Sequence, residues 1–123
     1  MIKVSYFVHR LPSLSPEAFY AYWRDNHGPL IRKHARLFGI SRYVQVHASE
    51  DARNAPSAAF PDPYDGVAEL WFADPHHLEL WFQNTTPEAK AAGREIRADE
   101  RKFIDRARSP CLVGREFPMI ESG

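Results

Sequence analysis

Apolar and polar positions alternate from the first residues of the chain. Ile2, Val4, Tyr6 and Val8 fall on one side of an extended segment, and Lys3, Ser5, Phe7 and His9 on the other. This period of two predicts a strand over residues 2–10. Leu11-Pro12-Ser13-Leu14 is turn chemistry, and Ser15-Pro16-Glu17 supplies an N-cap hydroxyl, a proline at the first helical position and an acid beside the positive helix end. The period then becomes helical, with Phe19, Tyr22, Trp23, Leu30, Ile31 and Leu37 in an apolar stripe that continues through Asn26 or His27 and through His34. Gly28-Pro29 interrupts it. Proline has no N–H to give, so the helix is expected to kink or restart just after His27, leaving carbonyls free near that turn.

Gly39 is placed to end the helix, and residues 40–47 alternate again, with Tyr43, Gln45 and His47 on one face and Arg42, Val44 and Val46 on the other. Residues 48–63 hold three prolines and five alanines without a period, which predicts a long surface loop. A third strand runs from Val67 to Phe72. Its two faces, Val67, Glu69 and Trp71 against Ala68, Leu70 and Phe72, are both largely apolar, so cover is expected on both sides. Asp74-Pro75 caps a short helix carrying Leu78, Trp81 and Phe82. Thr85-Thr86-Pro87-Glu88 opens a more polar helix to about residue 106, with apolar positions at Ala89, Ala92, Ile96, Phe103 and Ile104 and one solvated face. Leu112-Val113 and Phe117 mark a last strand. The order strand, helix, strand, strand, helix, strand predicts an α+β fold: a single ferredoxin-like domain over residues 1–123, with a four-stranded antiparallel sheet and helices on one face.

A chain of 123 residues with 44% hydrophobic positions can bury a core without disulfide or metal staples, although oligomerisation would help so short a domain. Rows of Trp and Phe on a sheet face left in water would expose an apolar patch of several hundred square ångströms, which independently argues for a partner sheet. Sixteen basic and sixteen acidic residues cancel, so no strong field favours nucleic acid or an anionic membrane as partner. The single Cys111 rules out an intramolecular disulfide and a cysteine zinc cage. No signal-peptide pattern opens the chain and no apolar run approaches the roughly 20 residues that span a bilayer, so a cytoplasmic protein is expected.

Among groups able to carry chemistry, His27 stands out: it lies on the inward helix stripe at the Gly-Pro break, and imidazole exchanges protons near neutral pH without a cofactor. Tyr43 and His47 share a strand face but sit roughly 13 Å apart, too far to touch one atom. Glu69 is a carboxylate in an apolar strand, usable as an acid or base if it faces a pocket and expected to pair with an arginine if it faces a dimer seam. Tyr6, Trp23, Leu70, Trp71, Phe72, Trp81 and Phe82 are available to line an aromatic-accepting cavity or to build core and interface. His76 and His77 point about 100° apart on a helix, and His27 and His34 are roughly 10 Å apart, so neither pair suits one metal ion. With no dinucleotide or phosphate-loop fingerprint either, no cofactor and no metal are expected.

The combination Phe19-x-x-Tyr22-Trp23-x-x-x-His27-Gly28-Pro29-Leu30, Arg42-Tyr43-Val44 and Tyr64-Asp65-Gly66-Val67-Ala68-Glu69-Leu70-Trp71-Phe72 resembles the EthD-like proteins of the dimeric α/β-barrel superfamily. The resemblance spans nearly the whole chain outside the 48–63 loop. It implies a homodimer with facing sheets and a pocket in each subunit between sheet and helices. It also implies a pocket histidine at His27, with Tyr43 close enough to donate a hydrogen bond to a developing oxyanion. The lactone-isomerising branch offers a cysteine in strand three where this chain has Leu70, so a thiol-assisted proton shuttle is not expected. The resulting expectation is a cofactor-independent lyase or isomerase that dehydrates, cyclises or isomerises a small aromatic, polyketide-like or lactone substrate. His27 would be base and acid, Tyr43 the oxyanion partner, and Glu69 or His47 an orienter. The alternatives are a non-catalytic dimeric module binding a hydrophobic metabolite, and a cofactor-less quinol monooxygenase.

Overall fold

Side-chain caps and backbone periods build the elements of the computed structural model, which describes residues 1–122. The chain runs β1 (Ile2–Val8), α1 (Pro16–Tyr22), a π-helical turn (Trp23–His27), α2 (Gly28–His34), β2 (Ile40–His47), β3 (Gly66–Phe72), α3 (Pro75–Gln83), α4 (Pro87–Glu100) and β4 (Cys111–Gly114), with short 3₁₀ turns at Ala52–Asn54 and Arg106–Arg108. Ser15, Asp74 and Thr86 accept the N–H groups of Ala18, His77 and Ala89, capping α1, α3 and α4. All sheet pairings are antiparallel and the strand order is β2-β3-β1-β4, a ferredoxin-like arrangement with the helices on one face.

Several boundaries differ from the expectation, the first being β1, which ends at Val8 rather than at residue 10. The last helix stops at Glu100, where a turn carries Phe103 back into the core. β4 ends at Gly114, and Phe117 lies beyond it, exposed. The restart expected just after His27 is present: a π-helical turn ends at His27, with Gly28 N–H donating to Trp23 O five residues back, and α2 begins at Gly28 with Pro29 in its first turn. The Trp23 carbonyl also accepts from Gln45 Nε2 at 2.9 Å, so one expected loose carbonyl is tied to β2. Such π turns are rare and are often found at functional sites.

The core lies between sheet and helices, with Val4, Val8, Phe19, Trp23, Phe38, Phe72 and Phe103 fully buried. Burial of each is worth about 1.5–3 kcal/mol. Trp23 reaches the sheet because position 66 is glycine: a Cβ there would lie 2.4 Å from Val46 O and 2.6 Å from the Trp23 ring.

On the opposite sheet face the expectation that tryptophan needs a partner sheet for cover is corrected. Trp71 is only 8% exposed within one chain. The Lys3 ammonium lies 4.8 Å and the Arg42 guanidinium 4.5 Å from its ring centre, and its indole N–H donates to Glu116. What stays open on this face includes Val46 and Leu112, 44% and 61% exposed. No helix among the described residues is long and apolar enough to cross a membrane.

Candidate functional site

Between the helix-facing side of the sheet and the helices lies a cavity of about 570 Å³, within the range of small-molecule sites. β1, β2 and β3 contribute Tyr6, Tyr43 and Leu70, the π turn Trp23 and His27, and α3 Trp81 and Phe82. Asn84, Arg97 and Glu100 add polar groups. Phe72 is fully buried behind this lining rather than at its surface.

His27 is the last residue of the π turn and is 5% exposed. Its Nδ1 lies 2.8 Å from Asp99 Oδ2, and the other Asp99 oxygen accepts from the Tyr22 hydroxyl. A carboxylate at Nδ1 selects the tautomer with the proton there, which leaves the Nε2 lone pair free. No buried side-chain nitrogen or oxygen lacks a partner among the described residues, so Nε2, which has no protein partner, is not sealed within the packing. Burial pushes the His27 pKa down, against the opposing hydrogen bond and charge of Asp99. The ring is therefore neutral at pH 7, as a general base must be.

A second network holds Tyr43. Gln45 Nε2 donates to the Tyr43 hydroxyl oxygen at 2.8 Å as well as to Trp23 O, and Gln45 Oε1 accepts from His47 Nε2 at 2.8 Å. The His47 ring stacks on Trp23 and Tyr20 at centroid distances of 4.6 and 4.9 Å. Because the Tyr43 oxygen is an acceptor toward Gln45, its own proton is free to be donated elsewhere. Burial raises its pKa to about 12, so the phenol keeps that proton. His47 thus reaches the cavity only through Gln45. Across the floor, Trp81 Nε1–H donates to the Tyr6 hydroxyl at 2.8 Å, and burial pushes the Tyr6 pKa up as well.

Glu69 is elsewhere. It lies on the open sheet face, ion-paired with Lys3 of the neighbouring strand. The expected place for it in the pocket is corrected, because the strand alternation that sends Ala68 and Leu70 to the cavity sends Glu69 away. Its partner is a lysine of its own chain, not an arginine. His76 is exposed and His77 bonds Asp74 at the start of α3.

Asp99 is the residue that sequence reasoning missed, because α4 reads as a polar helix. The spacing held a signal: Ala89, Ala92, Ile96, Asp99 and Phe103 recur at three and four residues, which places Asp99 inside the buried stripe. Gln45 shares the Tyr43 and His47 face, and a neutral amide on a strand carries no chemical signal of its own.

A ferredoxin-like plait with an internal, histidine-lined cavity defines the class. The model of the EthD domain matches residues 11–107, and the chain belongs to the EthD family. Solved structures agree on the fold. An EthD family protein of Bacillus halodurans C-125 is 21% identical with a TM-score of 0.61, over 95% of this chain and 99% of its own. HapK from Hahella chejuensis is 12% identical with a TM-score of 0.64, over 100% and 99%. A dimeric protein of ferredoxin-like fold from Bacteroides fragilis NCTC 9343 is 12% identical with a TM-score of 0.59, over 94% and 95%. A search of curated proteins finds no relative.

Proposed function

We propose that this EthD family member is a lyase or isomerase that moves a proton on a small aromatic or polyketide-like substrate using side chains alone. The observation that carries the reading is the pairing of His27 Nδ1 with Asp99 at the wall of the cavity, with Nε2 left unbonded. In this mechanism Nε2 takes a proton from a carbon next to a carbonyl, and the electron pair of that C–H bond moves into the carbonyl as an enolate. Tyr43 donates its hydroxyl proton in a hydrogen bond to the enolate oxygen. Asp99 holds the ring in its reactive tautomer and stabilises the imidazolium that forms. The imidazolium then returns the proton, to a new carbon for isomerisation or to a departing hydroxyl for dehydration. His47 positions Tyr43 through Gln45, and Trp23, Leu70, Trp81 and Phe82 offer the flat apolar surface.

The same reading includes a homodimer. Support comes from the Bacteroides fragilis structure, described as dimeric, and from Val46 and Leu112 exposed on the sheet face away from the helices.

The test is proton exchange. The protein is incubated in deuterated buffer with a panel of polyketide-like phenols and aromatic lactones, and label in the recovered compounds is read by mass spectrometry. Enzyme-dependent deuterium uptake that disappears in His27→Gln is expected. Compounds that raise the melting temperature yet never take up label or turn over would replace this reading with a binding module.

A further inference from the structure

The polar wall of the cavity carries a charge that proton transfer at His27 does not use. Arg97, half-buried on α4, lines the cavity, and its Nη1–H donates to Asn84 Oδ1 at 2.7 Å. Asn84 is itself fixed. It ends α3 in the left-handed conformation with φ 49°, is 8% exposed, and donates Nδ2 to Leu80 O and Trp81 O at 3.2 and 3.1 Å. Gly93, one turn before Arg97, leaves space for the pair: a Cβ there would sit 2.2 Å from Asn84 Oδ1 and 2.9 Å from Arg97 Nη1.

The guanidinium is thus aimed by a neutral amide, which orients it without cancelling its charge. The neighbouring carboxylate, Glu100, lies 3.8 Å from Arg106 instead. Burial pushes the Glu100 pKa up, ahead of the Arg106 and Arg97 charges that oppose it. A guanidinium drawn part-way out of water with unused N–H groups recovers most by meeting a planar anion in a two-pronged hydrogen bond. The remaining wall is largely aromatic and aliphatic, and Glu100 on the same side opposes a doubly charged phosphate.

We propose that Arg97 is the carboxylate-recognising residue of this cavity, so that the ligand is an apolar, aromatic-bodied carboxylic acid bound as a monoanion. This rests on reading the cavity as the substrate site.

The experiment compares 2-naphthoate, 2-naphthyl phosphate and the uncharged methyl 2-naphthoate by calorimetric titration of the full chain. Wild type should bind the acid at least tenfold tighter than the ester. Arg97→Gln should remove that preference without weakening the ester, and Arg97→Lys should retain part of it, showing that charge rather than packing is read. His27→Gln should keep the preference intact, so loss of deuterium exchange in that variant and loss of acid selectivity in Arg97→Gln report on separate claims. Equal binding of acid and ester, no binding of the acid, tighter binding of the aryl phosphate, or an equal loss of both ligands in Arg97→Gln would each overturn the assignment.

Discussion

Two carboxylates flank the sheet, each paired with a nitrogen group, and in the proposed mechanism only one pair reacts. On the open face Glu69 meets the Lys3 ammonium beside the Trp71 ring, with side chains 20% and 22% exposed. The Lys3 ammonium also lies 4.0 Å from Glu116, and Arg42 covers the Trp71 ring. On the helix face Asp99 meets a ring with a second nitrogen, and the residue that carries it lines a cavity. The difference is the second valence: an ammonium held by a carboxylate has finished its work, while an imidazole held at Nδ1 is prepared for a proton at Nε2. A carboxylate within an apolar stretch is therefore informative only together with what its partner has left over.

The sharpest way to break the comparison is to remove the ring. His27→Gln leaves an amide able to bond Asp99 but no base, and turnover should fall by about 10²–10⁴-fold, measured as deuterium uptake under saturating substrate. Asp99→Asn keeps the shape and removes the charge that favours the reactive tautomer. A fall of about 10²-fold is expected, together with a changed pH profile. In the wild type kcat/KM should fall as pH drops through the His27 pKa, which burial holds below the ordinary value of about 6.5. Asp99 opposes that shift, so in Asp99→Asn the acid limb should move to still lower pH; an unmoved limb would assign the titration to another group.

Smaller effects sharpen the contrast. Gln45→Leu removes the donor that turns the Tyr43 hydroxyl toward the cavity and should cost about tenfold in kcat, or roughly 1.4 kcal/mol, with KM little changed. Glu69→Gln should leave activity at the wild-type level and lower stability by about 1 kcal/mol or less in urea titrations, as for a partly exposed ion pair. A catalytic loss there comparable to that of Asp99→Asn would erase the distinction between the faces.

Much of the fold was legible because its signals are local. Period-two runs marked the strands, and Ser15, Asp74 and Thr86 marked helix starts. His27 and Tyr43 were legible from an inward stripe, a Gly-Pro break and a family resemblance, and both line the cavity. Asp99 was not, because its role depends on a contact between residues 72 positions apart that no period records. Glu69 had two places open to it in sequence, pocket or sheet seam, and the alternation of its own strand puts it on the face away from the cavity. Trp71 seemed to require a partner because sequence cannot show that Lys3, Arg42 and Glu116 of the same chain fold over its ring.

The central claim concerns where one proton sits, and nitrogen NMR of protein labelled at histidine reads it without a substrate. At pH 7 His27 should show a protonated Nδ1 and an unprotonated Nε2, and should charge only below the ordinary histidine range. A ring protonated at Nε2 alone, or one already carrying both protons at pH 7, would contradict the account.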